Sequence, residues 1–346
     1  MAGEPGGSAG GVLGGIRRRR LLTLALLLAL LGLACLASVA VGAKAIPPTD
    51  VWAALVAPTG GENDIVVRSL RIPRTVLGVM VGAALGLAGA LMQGHTRNPL
   101  AEPGILGVNA GAAFAVVLAI YLLGITSLLG FVWFAFAGAL LASVAVFALG
   151  SLGRAGATPV TLALAGIAVT VFLFALVQAV ILLSQETLDV YRFWVVGALA
   201  GRDPAVILDV APFLAAGLVL ALANAPGLNA LALGEDVARA LGQSIRRVRI
   251  VGVAAITLLA GGAVAAAGPI GFLGLVVPHV ARYLTGPDHR WLLPYAAVLG
   301  AILILLADVV GRVVMRPGEL QVGIVLALVG APFFIALVRR KRLMAL

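Results

Sequence analysis

The segment from Gly268 to Pro332 reads GPIGFLGLVVPHVARYLTGPDHRWLLPYAAVLGAILILLADVVGRVVMRPGELQVGIVLALVGAP, and it decides the class of fold. The segment is apolar enough to lie in lipid, yet it also carries ionisable side chains, among them His279, Arg282, Asp308, Arg312 and Glu319. A charge buried in hydrocarbon is costly unless it is paired or hydrated. We therefore expect these side chains at membrane surfaces or facing protein and water.

The composition of the whole chain indicates many membrane spans. Of the 346 residues, 62% are hydrophobic and only 11% are charged, against roughly 25% charged in a soluble protein. The 44 glycines suit closely packed membrane helices. In a membrane protein, the net charge of +10 is explained by basic cytoplasmic segments, so we expect no nucleic-acid partner. The single cysteine, Cys35, lies in an apolar run and is interpreted as a packing residue.

The apolar runs predict an all-α polytopic membrane protein with about ten transmembrane helices and both termini in the cytoplasm. The predicted spans are 21–43, 75–94, 104–124, 129–149, 160–183, 205–223, 248–267, 270–284, 292–311 and 320–338. This map puts sixteen of the 24 Lys and Arg residues on the cytoplasmic side, as the positive-inside rule requires. We expect a disordered basic tail at 1–20, one transmembrane domain at 21–340 and a cytoplasmic tail at 341–346. The short run Tyr191–Ala200 is interpreted as a partial helix.

Several catalytic motifs are absent from the sequence. It has no GxxxxGK[ST] phosphate loop, no HExxH metal site and no GxSxG nucleophile elbow. We therefore expect a transport subunit that is not itself an enzyme and that binds no metal or cofactor of its own.

Four arginines fall on the side of the membrane that normally avoids them. Arg71 and Arg74 open the second span and share a helix face, and Arg312 and Arg316 lie near the end of the ninth. Guanidinium groups pair well with carboxylates, so one interpretation is docking of an acidic partner. The alternative is that they anchor the helices at the lipid headgroups.

The inner connection between the sixth and seventh spans contains a predicted short amphipathic helix. Glu235 and Asp236 suit its first turn, and Gly242 suits its end. It is either a helix on the membrane surface or a docking element for a cytoplasmic protein. The spacing alone does not choose between these.

Two other segments carry polar residues. Asn98 and Pro99 predict a structural turn after the second span, where Arg97 and Glu102 could pair. Asp308 lies four residues before Arg312, a spacing that permits an ion pair within one helix. Asp308 could instead be the proton or cation site of an ion-coupled carrier.

Taken together, several segments resemble the permease subunits of ABC importers for iron-siderophore complexes and cobalamin. They are RIPRTVLGVMVGAALGLAGALMQG, RNPLAEPGILGVNAGA, LALGEDVARALG, GPIGFLGLVVPHVARYLTGPDHR, ADVVGR and GAPFF, in order between about residues 71 and 334. The sequence departs from the family at Gln321, where proline is usual.

The resemblance implies a membrane-embedded assembly in the cell membrane. A second permease, identical or related, pairs with this chain; two cytoplasmic ATPases use ATP and Mg, and an extracytoplasmic binding protein delivers cargo. Arg71, Arg74 and Arg312 match positions that contact this binding protein, and Arg316 has no such match. The resemblance places an inner gate at Thr158, Pro159 and Val160, and an ATPase coupling loop at about 229–246. Within that loop the matching residues are Leu233, Gly234, Glu235, Asp236, Ala238, Arg239, Leu241 and Gly242.

The expected function is ATP-driven import of an iron(III)-siderophore complex by alternating access. Cobalamin or haem import and ion-coupled transport through Asp308 are the alternatives. We also expect the double change Arg71→Glu and Arg74→Glu to weaken docking without disturbing the fold.

Overall fold

The computed structural model describes residues 9–152 and 158–339, and within these ranges the regular structure is helical. The α-helices are α1 (Ala9–Ala40), α2 (Pro48–Val56), α3 (Glu62–Ile65), α4 (Ile72–Thr96), α5 (Val108–Leu123), α6 (Leu128–Ser151), α7 (Pro159–Leu183), α8 (Gln185–Trp194), α9 (Ala205–Ala232), α10 (Glu235–Ala240), α11 (Ile245–Ala267), α12 (Leu273–Thr285), α13 (His289–Val314) and α14 (Val322–Arg339). A π-helical turn at Val66–Arg71 joins α3 to α4, and a 3₁₀ turn at Pro103–Leu106 precedes α5.

Among the described residues, seven helices are long and apolar enough to cross a membrane. These seven membrane-spanning segments correspond to α1, α4, α6, α7, α9, α11 and α13. Two shorter apolar helices, α5 and α14, also match predicted spans. The predicted eighth span corresponds to α12, which has only 13 residues. The all-helical membrane class is therefore confirmed, and the total of ten crossings stays a prediction.

Helix α4 forms the centre of the bundle, and glycines let its neighbours approach closely. A Cβ atom added to Gly82 would lie 2.5 Å from the carbonyl oxygen of Gly300 in α13. One added to Gly86 would lie 2.2 Å from the carbonyl oxygen of Ala296, also in α13. Side chains at these positions would force the helices apart, which explains the small residues along this seam.

The structure differs from the predicted boundaries in three places. Residues 9–20, predicted to be disordered, continue α1, because the four arginines 17–20 are compatible with helix and extend an already formed one. The connection 44–74 contains α2 and α3, and α2 has proline in its first turn, where proline is favoured. The predicted partial helix Tyr191–Ala200 starts earlier, at Gln185, and ends at Trp194.

The two ends of α4 define the two ends of the bundle. Arg71 precedes its first residue and His95 lies in its last turn, 24 residues or about 36 Å further along the helix. The His95 imidazole Nε2 lies 2.9 Å from the side-chain amide of Asn224 in α9, and α9 leads directly into α10. We call these the RIPR end (from residues Arg71–Arg74) and the α10 end.

Candidate functional site

At the RIPR end, arginine side chains bind the C-terminal carbonyls of α1. The last carbonyls of a helix lack partners within the helix and carry partial negative charge. Arg71 is only 4% exposed, and it donates to the carbonyl oxygens of Val39 at 2.9 Å, Ala40 at 2.7 Å and Lys44 at 2.6 Å. Arg71 is thus a helix cap in this structure.

Arg312 reaches the same helix end from α13. Its guanidinium donates to the carbonyl oxygens of Ser38 at 2.7 Å and Val41 at 2.9 Å, and to the Ser38 hydroxyl at 2.8 Å. It also forms a salt bridge of 2.5 Å with Asp308, one helical turn earlier, as the spacing in the sequence permits. Both side chains are 1% exposed.

The Asp308 carboxylate also accepts hydrogen bonds from a second arginine. Arg74 donates to Asp308 at 2.7 Å and, through its other terminal nitrogen, to Glu319 at 2.7 Å. The carboxylate of Asp308 is therefore buried between two guanidinium groups, those of Arg74 and Arg312. This arrangement is that of a structural ion pair, and it gives no support to Asp308 as a proton carrier.

The predicted docking residues consequently divide into two classes. Arg71 and Arg312 are buried and satisfied within the chain, so in this structure they do not face a partner. Arg74 keeps a 13% exposed side chain and Glu319 a 30% exposed one. Arg316, which was grouped with these arginines but matches no docking position of the family, is exposed and donates to the carbonyl oxygen of Gly42 at 3.0 Å.

Two more arginines donate hydrogen bonds to the C-terminal carbonyl groups of helices. The sequence did not predict this role for either of them. Arg202 donates to the carbonyl oxygen of Ala267, the last residue of α11, at 3.0 Å. Burial lowers the pKa of Arg202 to about 10, because the charged form loses hydration. Arg20 donates to the carbonyl oxygen of Thr285, the last residue of α12, at 2.6 Å. Arginine side chains therefore donate hydrogen bonds to helix C-termini at both ends of the bundle.

At the α10 end, the predicted coupling loop forms a short projecting helix with its flanking residues. We call residues 233–242 the knob. Gly234 precedes α10 with φ of +110°, a conformation that favours glycine. Ala238 is fully buried against the bundle, whereas Leu233 and Leu241 are 65% and 60% exposed. α10 is therefore anchored through its small residue and presents its large apolar side chains outward.

Charged side chains brace this knob from within the chain. Glu235 pairs with Arg239 at 3.1 Å and with Arg249 of α11 at 2.5 Å. Asp236 pairs with Arg239 at 2.8 Å and has a 99% exposed side chain. Gly242 follows the helix with φ of +81°. These contacts fix the knob to α11 and leave its outer face free among the residues described.

The predicted gate residues form the start of α7. The Thr158 hydroxyl accepts from the backbone N–H of Thr161 at 3.2 Å, and Pro159 occupies the first helical position. Val160 is 67% exposed. The preceding residues 153–157 lie outside the described part of the chain. The geometry shows a well-capped helix start, and the gating role stays a prediction.

The turn at Asn98 and Pro99 is closed by a side chain. The Asn98 carboxamide oxygen accepts from the backbone N–H of Leu100 at 2.9 Å, which is an Asx turn. Arg97 and Glu102 do not form the ion pair that their spacing permits. Arg97 is exposed, and the carboxyl group of Glu102 lies beside the turn before α12, where a Cβ atom added to Gly271 would be 3.9 Å from its oxygen.

The α10 end also contains a buried polar cluster, which no motif in the sequence predicts. Asn229 of α9 donates to Asp288 at 2.6 Å and accepts from the backbone N–H of His289 at 2.8 Å. His95 contacts Asn224, five residues before Asn229 on the same helix. The available signal was two asparagines in the apolar run ALANAPGLNALA, since an amide inside lipid needs a partner. The cluster ties α9 to α4 and α13 directly below the knob.

Known proteins resemble this chain over most of its length. The model of the FecCD transport family matches residues 28–340. The ferric enterobactin transport system permease protein FepD of Escherichia coli (strain K12) is 47% identical over 316 residues, covering 91% of this chain and 94% of the relative. The cobalamin import system permease protein BtuC of Halobacterium salinarum is 40% identical over 283 residues, covering 82% and 75%.

Among solved structures, a chain of a metal-chelate type ABC transporter in an inward-facing conformation matches with a TM-score of 0.80. It is 30% identical and covers 92% of this chain and 99% of its own. The relatives are named as transport permeases, and the seven long apolar helices make this chain a multi-pass protein of the inner membrane. The chain belongs to the FecCD transport family and is an ABC permease of the siderophore and cobalamin import type.

Proposed function

We propose that this chain is the membrane subunit through which an iron(III)-siderophore complex enters the cytoplasm. The choice of cargo is supported by the 47% identity to a ferric enterobactin permease over nearly the whole of both chains. The large cargo passes between this permease and a second one, which is a copy or a relative of it. An extracytoplasmic protein delivers the cargo at the RIPR end.

The observation that carries the energetic part of the proposal is the exposed apolar face of α10. Leu233, Val237 and Leu241 are 65%, 45% and 60% exposed on a helix of six residues and its flanks. A rigidly anchored knob with an apolar outer face suits a groove on a soluble partner. The chain has no phosphate loop of its own. Two cytoplasmic ATPase subunits therefore bind here and use ATP and Mg.

The contacts between the knob and the bundle explain how a movement of α10 reaches the membrane helices. Arg249 joins α10 to α11, and Asn229 joins α9 to the start of α13. A displacement of α10 by the ATPase thus moves α9, α11 and α13 together. In an alternating-access cycle, this movement opens the path at one end while closing it at the other. Delivery of cargo at the RIPR end involves the accessible Arg74 and Glu319 rather than the buried Arg71 and Arg312.

The test is uptake of labelled iron-siderophore by cells that lack the chromosomal gene and carry the cloned importer. Uptake is expected with the intact importer and should fall to background when the partner ATPase loses its Walker lysine. A control strain carries the intact ATPase and an inactive permease. Uptake that persists without the Walker lysine would refute ATP-driven import.

Cobalamin import is the second candidate, because a cobalamin permease is 40% identical to this chain. The same strain distinguishes the two cargoes when labelled cobalamin is supplied in parallel. Uptake of cobalamin without uptake of iron-siderophore would show that the cargo is cobalamin. The role as a permease would be unaffected.

A further inference from the structure

A cavity of about 460 Å³ lies between the arginine-rich turn of α1 and the first turn of α13, at the α10 end. The two helices run side by side in the same direction. The Tyr295 hydroxyl of α13 donates to the Arg20 carbonyl oxygen near one end, and Arg312 of α13 donates to the Ser38 carbonyl oxygen near the other. The cavity therefore lies where both helices enter the membrane from the same side.

Three arginines line this cavity. Arg17 and Arg20 come from α1 and Arg290 comes from α13, and the described residues that line the cavity include no carboxylate. Asp288, two residues before Arg290, is engaged elsewhere. It accepts hydrogen bonds from the Asn229 carboxamide at 2.6 Å and from the backbone N–H of Arg290 at 3.0 Å. The cavity thus has a positive lining that suits an anion.

Only one of the three guanidinium groups is held in place by the bundle. Arg20 donates to the Thr285 carbonyl oxygen at 2.6 Å, and its guanidinium carbon lies 5.8 Å from the centre of the Trp291 ring. Arg17 and Arg290 are exposed, and the salt bridges of the described residues include neither of them. Two guanidinium groups at the mouth of the cavity are therefore available to an external partner.

The lining of the cavity becomes apolar toward the membrane. Arg17, Arg20 and Leu24 share one face of α1, and Pro294 of α13 lies opposite Leu24 in the lining. Leu28, one turn further along α1, is 51% exposed. The distance along the helix from Arg17 to Leu24 is about 10 Å, close to the thickness of the headgroup layer of one leaflet, about 5 to 8 Å.

The position of Trp291 fits the same boundary. Its indole ring lines the cavity beside Arg20 and Arg290, and tryptophan is enriched where hydrocarbon meets the headgroup layer. Guanidinium groups bind phosphate oxygens through paired hydrogen bonds. Basic pockets between membrane helices on the cytoplasmic side suit anionic lipid headgroups. The cavity has this chemistry at this depth.

We propose that the cavity binds the headgroup of one anionic phospholipid of the cytoplasmic leaflet. The phosphate group lies among Arg17, Arg20 and Arg290, and an acyl chain follows Leu24 and Leu28 along the outside of α1. A lipid satisfies both the basic and the apolar part of the cavity, whereas a free phosphate or an acidic peptide would satisfy only the basic part. The bound lipid joins α1 to α13, and its binding does not depend on the cargo of the permease.

Arginines on the same turn of α1 provide a matched control. Arg18 and Arg19 are exposed and do not line the cavity. The test variant is the double change Arg17→Gln and Arg290→Gln, and the control is the double change Arg18→Gln and Arg19→Gln. Both remove two positive charges from the cytoplasmic end, so a difference between them reports on the cavity. Arg20 stays unchanged because it also binds the end of α12.

Lipid binding is measured on the full-length permease purified in detergent. Native mass spectrometry counts the lipids that each chain retains while phosphatidylglycerol or phosphatidylcholine is added, and the midpoint of thermal unfolding is followed in parallel. We expect the parent protein and the control variant to retain one phosphatidylglycerol in preference to phosphatidylcholine and to be stabilised by it. The test variant should bind this lipid about tenfold more weakly or worse, with an unchanged unfolding midpoint in lipid-free detergent.

Three results would overturn the proposal. Equal losses in the test and control variants would show that the positive charge acts without a defined site. Equal retention of phosphatidylcholine and phosphatidylglycerol would show that the headgroup charge is not recognised. Displacement of the lipid by excess inorganic phosphate would identify a site for a free anion. If the test variant does not accumulate, Arg290→Gln alone replaces it and should weaken the binding of phosphatidylglycerol several-fold; parental binding by that variant would equally refute the site.

Discussion

At the scale of single residues, arginine in this protein mainly satisfies the ends of helices. Carbonyls at a helix C-terminus need donors, and in lipid no water supplies them. The guanidinium group offers five donors on a long side chain, so it can serve several carbonyls and a carboxylate together. Arg312 does both, because it joins the end of α1 to Asp308.

The burial of Arg71 changes one expectation about mutants. Arg71→Glu would bring a carboxylate against the carbonyls of Val39, Ala40 and Lys44, so it would damage the fold directly. The double change Arg71→Glu and Arg74→Glu is therefore a poor probe of docking. Arg74, which is partly exposed, is the more informative position.

Arg312→Ala should destabilise the permease strongly. It leaves the Asp308 carboxylate with one guanidinium partner instead of two and removes three hydrogen bonds to Ser38 and Val41. Breaking a buried pair from one side costs about 3 to 5 kcal/mol. We expect a clearly lower midpoint of thermal unfolding in detergent. The control is Arg316→Ala, whose exposed side chain makes one hydrogen bond to Gly42; equal losses in the two variants would contradict the capping interpretation.

At the scale of elements, the bundle combines tight seams with one projecting helix. The α4–α13 seam is closed by glycines, and it permits little relative movement of those helices. α10 differs, because only Ala238 is buried while its larger apolar residues face outward. An exposed apolar face on a helix this short is unusual for a protein surface and indicates an interaction site.

Leu241→Asp should weaken ATPase binding while leaving the permease folded. The side chain is 60% exposed, so the substitution removes no core contact but places a charge in the apolar interface. We expect at least a tenfold loss of ATPase recovered in co-purification from detergent. Val56→Asp on α2, also 64% exposed but at the RIPR end, is the control. ATPase recovery that is unchanged in Leu241→Asp would exclude α10 as the docking element.

At the scale of the whole molecule, the RIPR segment and α10 lie at opposite ends of α4. This arrangement is what a transporter requires, since cargo and ATP arrive from different sides. The basic residues 17–20 lie at the α10 end, as Arg20 contacts Thr285 and the Tyr295 hydroxyl donates to the Arg20 carbonyl oxygen at 2.5 Å. Their position favours that end as the cytoplasmic one.

Single cysteines test this orientation in a Cys35→Ala background. Gly61→Cys lies in the exposed connection at the RIPR end, and Asp236→Cys replaces a fully accessible side chain on α10. A membrane-impermeant maleimide should label Gly61→Cys in intact cells and Asp236→Cys only after permeabilisation. Labelling of both from the same side would contradict the proposed topology.

The sequence alone determined the class of protein and the approximate course of its spans. Apolar runs of about 20 residues are local features, and lipid permits little besides helices to satisfy their backbones. The position of the short helix α10 was also predictable, because Gly234, the acids of the first turn and Gly242 are neighbours in the chain. The i,i+4 pair of Asp308 and Arg312 followed from helix geometry in the same way.

Only the tertiary structure decided what the ionisable residues do. Arg71 and Arg312 were expected to face a partner, but they bind the end of α1, which lies more than 25 residues away from each of them along the chain. Glu102 had a nearby candidate in Arg97, but its carboxyl group lies beside Gly271, 169 positions later. A guanidinium or carboxyl group accepts any suitable partner that the fold brings within 3 Å or so, and which partner this is depends on helix packing that no local pattern of residues encodes.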